Sequence, residues 1–432
     1  MKKILSLMTI SLTILLMLAM SISQVSAKPD IIWSSTSPLP AARSEHGSVA
    51  YNGRIYVLGG YRSGGPYDTV YYGNINPNGM IDSWHGTTPL PEGRKETAAV
   101  AYNGYIYLLG GMGPQPPYQL ERNTVYYAPI NPDGTLGNWG TTTSLPDALA
   151  GHAAFVRNGR IYVVGGWTGY SFRRETCFAE IYLDGTLGSW TSTSLLPEGR
   201  GHGIAAVVSN GYAYALGGQG PDLAYKTDVW YTKINLDGTL DPWAPTTSMP
   251  LALENHAAAI VNNEIYVIGG YTYPSLTPSS KVNRVSINLD GTLGAWTEDT
   301  DLALPIGIEP RGHLHQAPVW NNRIYVIGGT NETQGTPTNT VYYAQIKVQR
   351  LSLAPSTGFA CSTVVGSGFS NNSKITIRWD GSVVPTVPSP LTTDANGNFT
   401  AIITVPTQTS PGPHTVNATD ESGNWATATF TV

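Results

Sequence analysis

Short apolar runs, each bounded by glycine or asparagine, return along this chain at a nearly constant interval. One phrase marks every return. It reads Asn52-Gly53-Arg54-Ile55-Tyr56-Val57-Leu58-Gly59-Gly60, and its copies end at Gly110-Gly111, Gly165-Gly166, Gly217-Gly218, Gly269-Gly270 and Gly328-Gly329. Successive glycine pairs lie 51, 55, 52, 52 and 59 residues apart. Within residues 37–84, the apolar and small residues from His46 to Tyr51 predict a first strand. Asn52-Gly53 then supplies a two-residue turn in which both positions accept positive φ. Ile55 to Leu58 predict a second strand, stopped by a glycine pair where side chains would obstruct close backbone approach. After the variable stretch 61–68, Thr69-Val70-Tyr71-Tyr72 opens a third strand that runs to Ile75. Asn76-Pro77-Asn78-Gly79 is a turn by composition, and Trp84 falls on a fourth strand.

The interval of nine residues from Ile75 to Trp84 returns as Ile130–Trp139, Ile181–Trp190, Ile234–Trp243 and Ile287–Trp296. Four antiparallel strands per unit, repeated radially at a period near 50, describe the blade of a β-propeller rather than a helical solenoid. Aromatic and β-branched residues on both faces of a strand fit a blade packed between two neighbours. Repeat six has a first strand (His315–Trp320), a second (Arg323–Gly329) and a third (Thr340–Lys347), but no tryptophan strand of its own. Trp33 has no repeat in front of it. Ile31–Thr36 is therefore expected to complete blade six, which gives an all-β, six-bladed propeller closed by the N-terminal strand and leaves no exposed sheet edge.

The succession Arg-x-x-His, Asn-Gly-x-Ile-Tyr-Val-x-Gly-Gly, then Tyr with Trp twelve residues later resembles the kelch repeat. Tyr72–Trp84, Tyr127–Trp139, Phe178–Trp190 and Tyr231–Trp243 keep the last spacing, while repeat five has Arg284 in the aromatic position. The resemblance covers about residues 30–347 and implies the propeller fold; kelch propellers serve as enzymes, receptors and scaffolds alike. From about Leu351 the period disappears. Lys374–Trp379, Phe399–Val405, His414–Thr419 and Ala426–Val432 read as short strands separated by Asp380-Gly381, Asn396-Gly397, Pro411-Gly412-Pro413 and Ser422-Gly423-Asn424. A small β-sandwich is expected over residues 349–432, after a propeller over 28–348. Gly366-x-Gly368-Phe369 with Asp420-x-x-Gly423-Asn424-x-Ala426 resembles the immunoglobulin-like modules of exported bacterial and archaeal proteins, without a Cys…Trp…Cys pattern.

Charge and composition narrow the setting. Lys2 and Lys3 precede an apolar run from Ile4 to Met20, and Val25-Ser26-Ala27 fits a small-residue cleavage site. Residues 1–27 thus read as a secretory signal peptide, with retention as a membrane anchor the other reading. Cleavage removes two lysines and no acid, and carries the net charge from −5 to −7. No surface basic enough for nucleic acid is implied. The mature protein is expected to be a secreted or cell-surface monomer. Cys177 and Cys361, the two cysteines, fall in different predicted domains and read as separate thiols. Asn331, Asn371, Asn398 and Asn417 head glycosylation triplets, which matter only in a host that glycosylates exported proteins.

Antiparallel geometry sets the candidate face. The Asn-Gly turns and the Asn-Pro-Asp-Gly turns share one end of every blade, so the entries to the first strands and the loops after the glycine pairs share the other. Two groups fall there. One is polar: Arg43, Arg94, Arg200 and Arg311, with His46, His152, His202, His256, His313 and His315, while repeat two has Thr97 in the histidine position. It could form a cationic mouth for a carboxylated or phosphorylated ligand, yet residues that recur in most repeats usually serve packing. No His/carboxylate spacing is diagnostic of a metal, and the single carboxylates in turns such as Asp133-Gly134 suit hairpins better than calcium. No metal or cofactor is expected. The second group is aromatic and differs between repeats: Tyr61, Tyr67, Tyr118, Trp167, Tyr170, Phe172, Tyr225, Tyr271 and Tyr273. Such rings could pack on sugar faces or a protein partner, or on one another.

The favoured reading is an exported binding or adhesion protein for a glycan or an extracellular protein, recognised through the loop face. The alternatives are a carbohydrate-active enzyme resembling a sialic-acid mutarotase and a structural envelope component. Resemblance to copper radical oxidases would require a cysteine crosslinked to a tyrosine near two histidines. Cys177, on a third-strand segment, does not fit, and that reading is rejected.

Overall fold

The computed structural model describes residues 31–432 apart from 63, 116–117, 298–315, 332–335, 347–348, 355, 358–360, 371, 396, 407–408 and 422–424. Among the described residues the chain forms strands, turns and no α-helix. It divides into two compact units, one spanning Ile31–Ile346 and the other the residues from Lys347 onward.

In the first unit each repeat builds its own antiparallel sheet. Repeat one pairs Gly47–Tyr51, Arg54–Leu58, Val70–Ile75 and Ile81–Thr87 in that spatial order. Repeats two, three and four repeat the arrangement; repeat five has three named strands, with Arg284 bridged to Thr297 where a fourth would lie. The sixth sheet takes its outer strand from the other end of the unit. Ile31–Thr36 pairs antiparallel with Val341–Ile346, from Ile31 opposite Ile346 to Thr36 opposite Val341. The Asn-Gly turns have φ of 45° at Asn52 and 74° at Gly53, as a type I′ hairpin requires. Asn262-Asn263 and Asn321-Asn322 reach the same left-handed region without glycine.

Both faces of every sheet are apolar because each packs on a neighbour. Val49, Tyr56 and Leu58 of repeat one share a core with Ala99, Ile106, Leu108 and Tyr126 of repeat two. Leu39, Ile55, Val57 and Ile81 of the N-terminal segment and repeat one share another with Tyr325, Ile327 and Val341 of repeat six. Each large aliphatic or aromatic side chain so buried contributes about 1.5–3 kcal/mol relative to exposure. Polar contacts repeat at the same junctions. The tyrosine of the signature phrase donates its hydroxyl to the glycine carbonyl in the next repeat's turn: Tyr56 to Gly134, Tyr107 to Gly185, Tyr162 to Gly238, Tyr214 to Gly291 and Tyr325 to Gly79, at 2.8–3.0 Å. The fourth-strand tryptophans donate their indole N–H to the preceding linker, as Trp139 does to the Thr88 carbonyl at 3.0 Å. Thr36 and Ser37 hold Ile81 as Thr87 and Thr88 hold Leu136. The N-terminal strand thus treats repeat one as each outer strand treats the repeat that follows it.

The second unit has two four-stranded sheets that share one core. Arg350–Ala354, Cys361–Ser367, Phe399–Thr404 and Thr386–Val387 form one; Ser382–Val383, Ile375–Trp379, Pro413–Asp420 and Trp425–Thr431 form the other. Val364, Ile403, Ile377, Trp379, Val416 and Phe430 meet between them. The first two strands, Arg350–Ala354 and Cys361–Ser367, went unread in sequence. Cys361 is exposed here and Cys177 is buried in the first unit; neither forms a disulfide.

Candidate ligand site at the mouth of the central cavity

The first strands of all six repeats contribute to the wall of one cavity of about 470 Å³, lined mainly by Ala and Val with Ser48, Thr97, His152 and Gln316. Gln316 joins repeat six to repeats one and two there. Its Oε1 accepts from the Ser48 and Ala99 amides at 2.9 and 3.2 Å, and its Nε2 donates to the Ala99 carbonyl at 2.7 Å.

At one end of these strands the entering backbone is bridged to the start of the loop beyond the glycine pair: Ser44 with Tyr61, Lys95 with Met112, Ala150 with Trp167, Gly201 with Gln219. The glycine pair makes this approach possible. A Cβ on Gly60 would lie 2.8 Å from the Ser44 carbonyl oxygen and 2.9 Å from the His46 Cβ, and φ there is 101°.

Where the strands begin, one residue per repeat turns left-handed: Glu45, Glu96, Gly151, His202 and Asn255, with φ between 46° and 58°. Backbone hydrogen bonds tie these positions into a rim, as from the Glu96 amide to the Glu45 carbonyl at 2.9 Å and from Gly151 to Glu96 at 2.9 Å. Repeat six's counterpart lies outside the described residues. A left-handed non-glycine residue costs about 1–3 kcal/mol and persists only where its surroundings hold it. Four such residues on one rim form a candidate site.

The described side chains of the rim are acidic, amide and aromatic, with Lys95 and His202 among them. The Lys95 ammonium lies 3.0 Å from Glu45 and 3.4 Å from Glu96, over the Tyr61 ring at 4.7 Å. Glu96 reaches toward His202, whose Nδ1 is 3.8 Å from its Oε2. The His202 ring lies against Trp167 and Phe172, at 5.5 and 5.8 Å between centroids. Beside them the Glu254 carboxyl takes hydrogen bonds from Tyr225 and Asn255. Burial, reinforced by the charge of Glu96, pushes its pKa up to about 7. Tyr225 meets Tyr273 edge-on at 5.6 Å, and the Tyr271 hydroxyl is 2.9 Å from that of Thr330.

The described arginines that could have formed a cationic mouth are interior, in line with the packing that their recurrence favoured. Arg43, Arg94 and Arg200 are each fully buried. Arg43 donates to the Gly59 carbonyl at 2.7 Å and lies over the rings of Tyr67 and Tyr71. Arg94 bonds Glu92 and Thr124, and Arg200 bonds Glu198 and Asp228 beneath the Trp230 ring. His46, His152 and His256 are buried as well, and desolvation pulls them down to about 3, about 4 and about 4. Their Cβ atoms pack on the second glycine of their own repeats. His202 is different. Repeat four has five residues from Arg200 to the strand start at Ala205, where repeat one has four from Arg43 to Gly47. His202 follows Arg200 by two residues, as the rim residue Glu45 follows Arg43, and Ile204 takes the packing position against Gly218. Of the aromatic group, Tyr61, Trp167, Phe172, Tyr225 and Tyr271 are half-buried at the rim, Tyr67 covers Arg43, and Tyr170 is 95% exposed. Arg311, His313, His315 and the Tyr118 side chain lie outside the described residues. Sequence reasoning missed Glu45, Glu96, Glu254 and Asn255. Their signal was variation immediately before a repeated position. Among the described residues no group of three or more His, Cys, Asp or Glu side chains could hold a metal.

Comparison with known proteins agrees with this architecture. The family described as Kelch motif matches residues 42–72 and 311–343. Kelch-like protein terF of Aspergillus terreus is 26% identical over 257 residues, covering 57% of this chain and 54% of that protein, so the chain spans about half its relative's length. A kelch repeat-containing protein of Arabidopsis thaliana is 26% identical over 327 residues, 70% of this chain and 72% of its own. Among solved structures, YjhT superposes with a TM-score of 0.56 at 17% identity, over 70% of this chain and 95% of that one; the likeness is one of fold. These motifs and relatives, with the repeated sheets, support a kelch-repeat family for this chain, built as a β-propeller.

Proposed function

We propose that this is an exported kelch-repeat protein that binds a glycan through the loop face of a six-bladed propeller, with an immunoglobulin-like sandwich as its C-terminal spacer. Pairing of Ile31–Thr36 with Val341–Ile346, and the hydroxyl of Tyr325 on the Gly79 carbonyl, support a ring closed by the N-terminal strand. One observation carries the ligand class. The rim sets carboxylates and an amide beside half-buried rings of Trp167, Phe172, Tyr225 and Tyr271. Sugar hydroxyls donate to carboxylates, and the apolar face of a pyranose packs on an aromatic ring.

A second reading, a carbohydrate-active enzyme, is favoured by Glu254 alone. A carboxyl that titrates near neutrality beside Tyr225 suits proton transfer at a sugar carbon. Beside the described carboxylates Glu45, Glu96 and Glu254 a sialic acid would bring a further negative charge, which disfavours that substrate there.

A glycan array probed with the mature protein and with Trp167→Ala is the direct test. Binding to a restricted set of glycans, weakened in the variant, is expected; silence on every glycan would remove the lectin reading. Faster exchange of sialic-acid anomers, followed by NMR, would favour the enzyme.

A further inference from the structure

Among its described residues the rim leaves two hydrogen-bond acceptors without a donor. Glu96 Oε2 is buried with no hydrogen-bond partner and lies 3.8 Å from His202 Nδ1. Asn255 is 5% exposed, and its Oδ1 is also without a partner, lying against Gly203 next to His202. Among the described residues around them stand the carboxylates of Glu45, Glu96 and Glu254 and the ammonium of Lys95. The rim already shows how it treats an ammonium. That of Lys95 sits between two carboxylates with Tyr61 beneath it.

We propose that the rim receives a second primary ammonium, one carried by an amino sugar, between Glu96, Glu254 and the Asn255 carbonyl oxygen, with the sugar ring against Trp167. An ammonium offers three donors in separate directions, which matches single acceptor atoms on three side chains from two repeats. A guanidinium needs paired acceptors in one plane, and a divalent cation needs more oxygens than converge here. The raised titration of Glu254 agrees with a carboxyl that lacks a cation; an arriving ammonium would draw it back toward the usual carboxylate range. The inference rests on the glycan reading and narrows it to basic sugars.

Calorimetric titration of the full mature chain at pH 7 separates the two claims. The probes are glucosamine and N-acetylglucosamine oligosaccharides of equal length, and butylamine as a cation without a sugar. The glucosamine oligomer is expected to bind about tenfold or more tightly than its acetylated counterpart, since acetylation removes a charge-assisted hydrogen bond. Glu96→Gln should lose a similar factor with an unchanged melting temperature, and Glu254→Gln carries the same comparison if that variant fails to fold. Equal binding of the two oligomers, or no loss in either variant, overturns the ammonium claim and leaves the glycan reading standing. Butylamine binding without either oligomer overturns the sugar. Binding of none of the three probes overturns both.

Discussion

Buried ionisable side chains decide how single residues respond to pH. His46, His152 and His256 are held neutral, with folded values of about 3, about 4 and about 4 against about 6.5 in an unfolded chain. Between those values the unfolded state binds more protons, so their contribution is complete above about pH 6.5 and is lost as pH falls toward 4. The C-terminal unit carries the opposite sign. His414 lies 2.6 Å from Asp380 through Nδ1 and 2.7 Å from the Ser410 carbonyl through Nε2, which raises its pKa and favours the imidazolium. Its contribution is present below about pH 6.5 and is lost as pH rises through the raised folded value. Urea midpoints followed from pH 4 to 7 should rise for the propeller, with a shallower slope in His152→Asn; a flat profile would contradict the buried neutral histidines. The repeated Arg and His positions were legible in sequence, and their recurrence favoured packing over a ligand; the atoms they pack on were not legible. A side chain conserved by the repeat looks the same whether it faces a ligand or the neighbouring sheet, and only the partner atoms distinguish these cases. His202 differs from the other histidines in a way the spacing does show: it follows Arg200 by two residues, as Glu45 follows Arg43, where His46 follows Arg43 by three.

At the scale of elements, the signature phrase proved legible nearly strand by strand, because its turns and its apolar periods are local. What local signals could not supply is the partner of Tyr56, Tyr107, Tyr162, Tyr214 and Tyr325, which sits 76 to 78 residues ahead, or 246 behind for Tyr325. Each hydroxyl ties one sheet to the next. Tyr107→Phe leaves the Gly185 carbonyl buried without its donor and should cost about 1–2 kcal/mol, read as a lower urea midpoint with unchanged circular dichroism. No change in midpoint would reduce these contacts to ornament. Repeat five departs from the pattern for a visible reason. Its neighbour takes its outer strand from the N-terminus and so has no third-to-fourth-strand turn; Tyr266 donates to Glu264 instead, and Glu264 pairs with Arg284 at 2.6 Å. Glu264 thus supplies the acceptor that the missing turn would have offered, and the arginine that broke the aromatic spacing in sequence pairs with it.

For the whole molecule, the count of tryptophans in sequence pointed to an outer strand supplied from Trp33, and Ile31–Thr36 is found beside Val341–Ile346. Deleting residues 31–36 uncovers the edge of that strand and the Thr36 hydroxyl's contact with Ile81. It should lower the melting temperature sharply and promote association through the bared edge. A deletion variant that melts like the parent would contradict the proposed closure. The candidate site was less legible at this scale, since its members come from separate repeats and meet only around a common cavity.

The pairing of Ile31 with Ile346 also has a mechanical side. The first residue of the propeller unit and its last are opposite partners, so the chain enters and leaves at the same end of one antiparallel ladder. Heat must break that ladder together with the cores behind it. Tension applied across those two residues would instead meet its rungs one after another, as in opening a zipper rather than shearing a seam. A fold that is stiff to temperature would then open readily under a pull from its own ends.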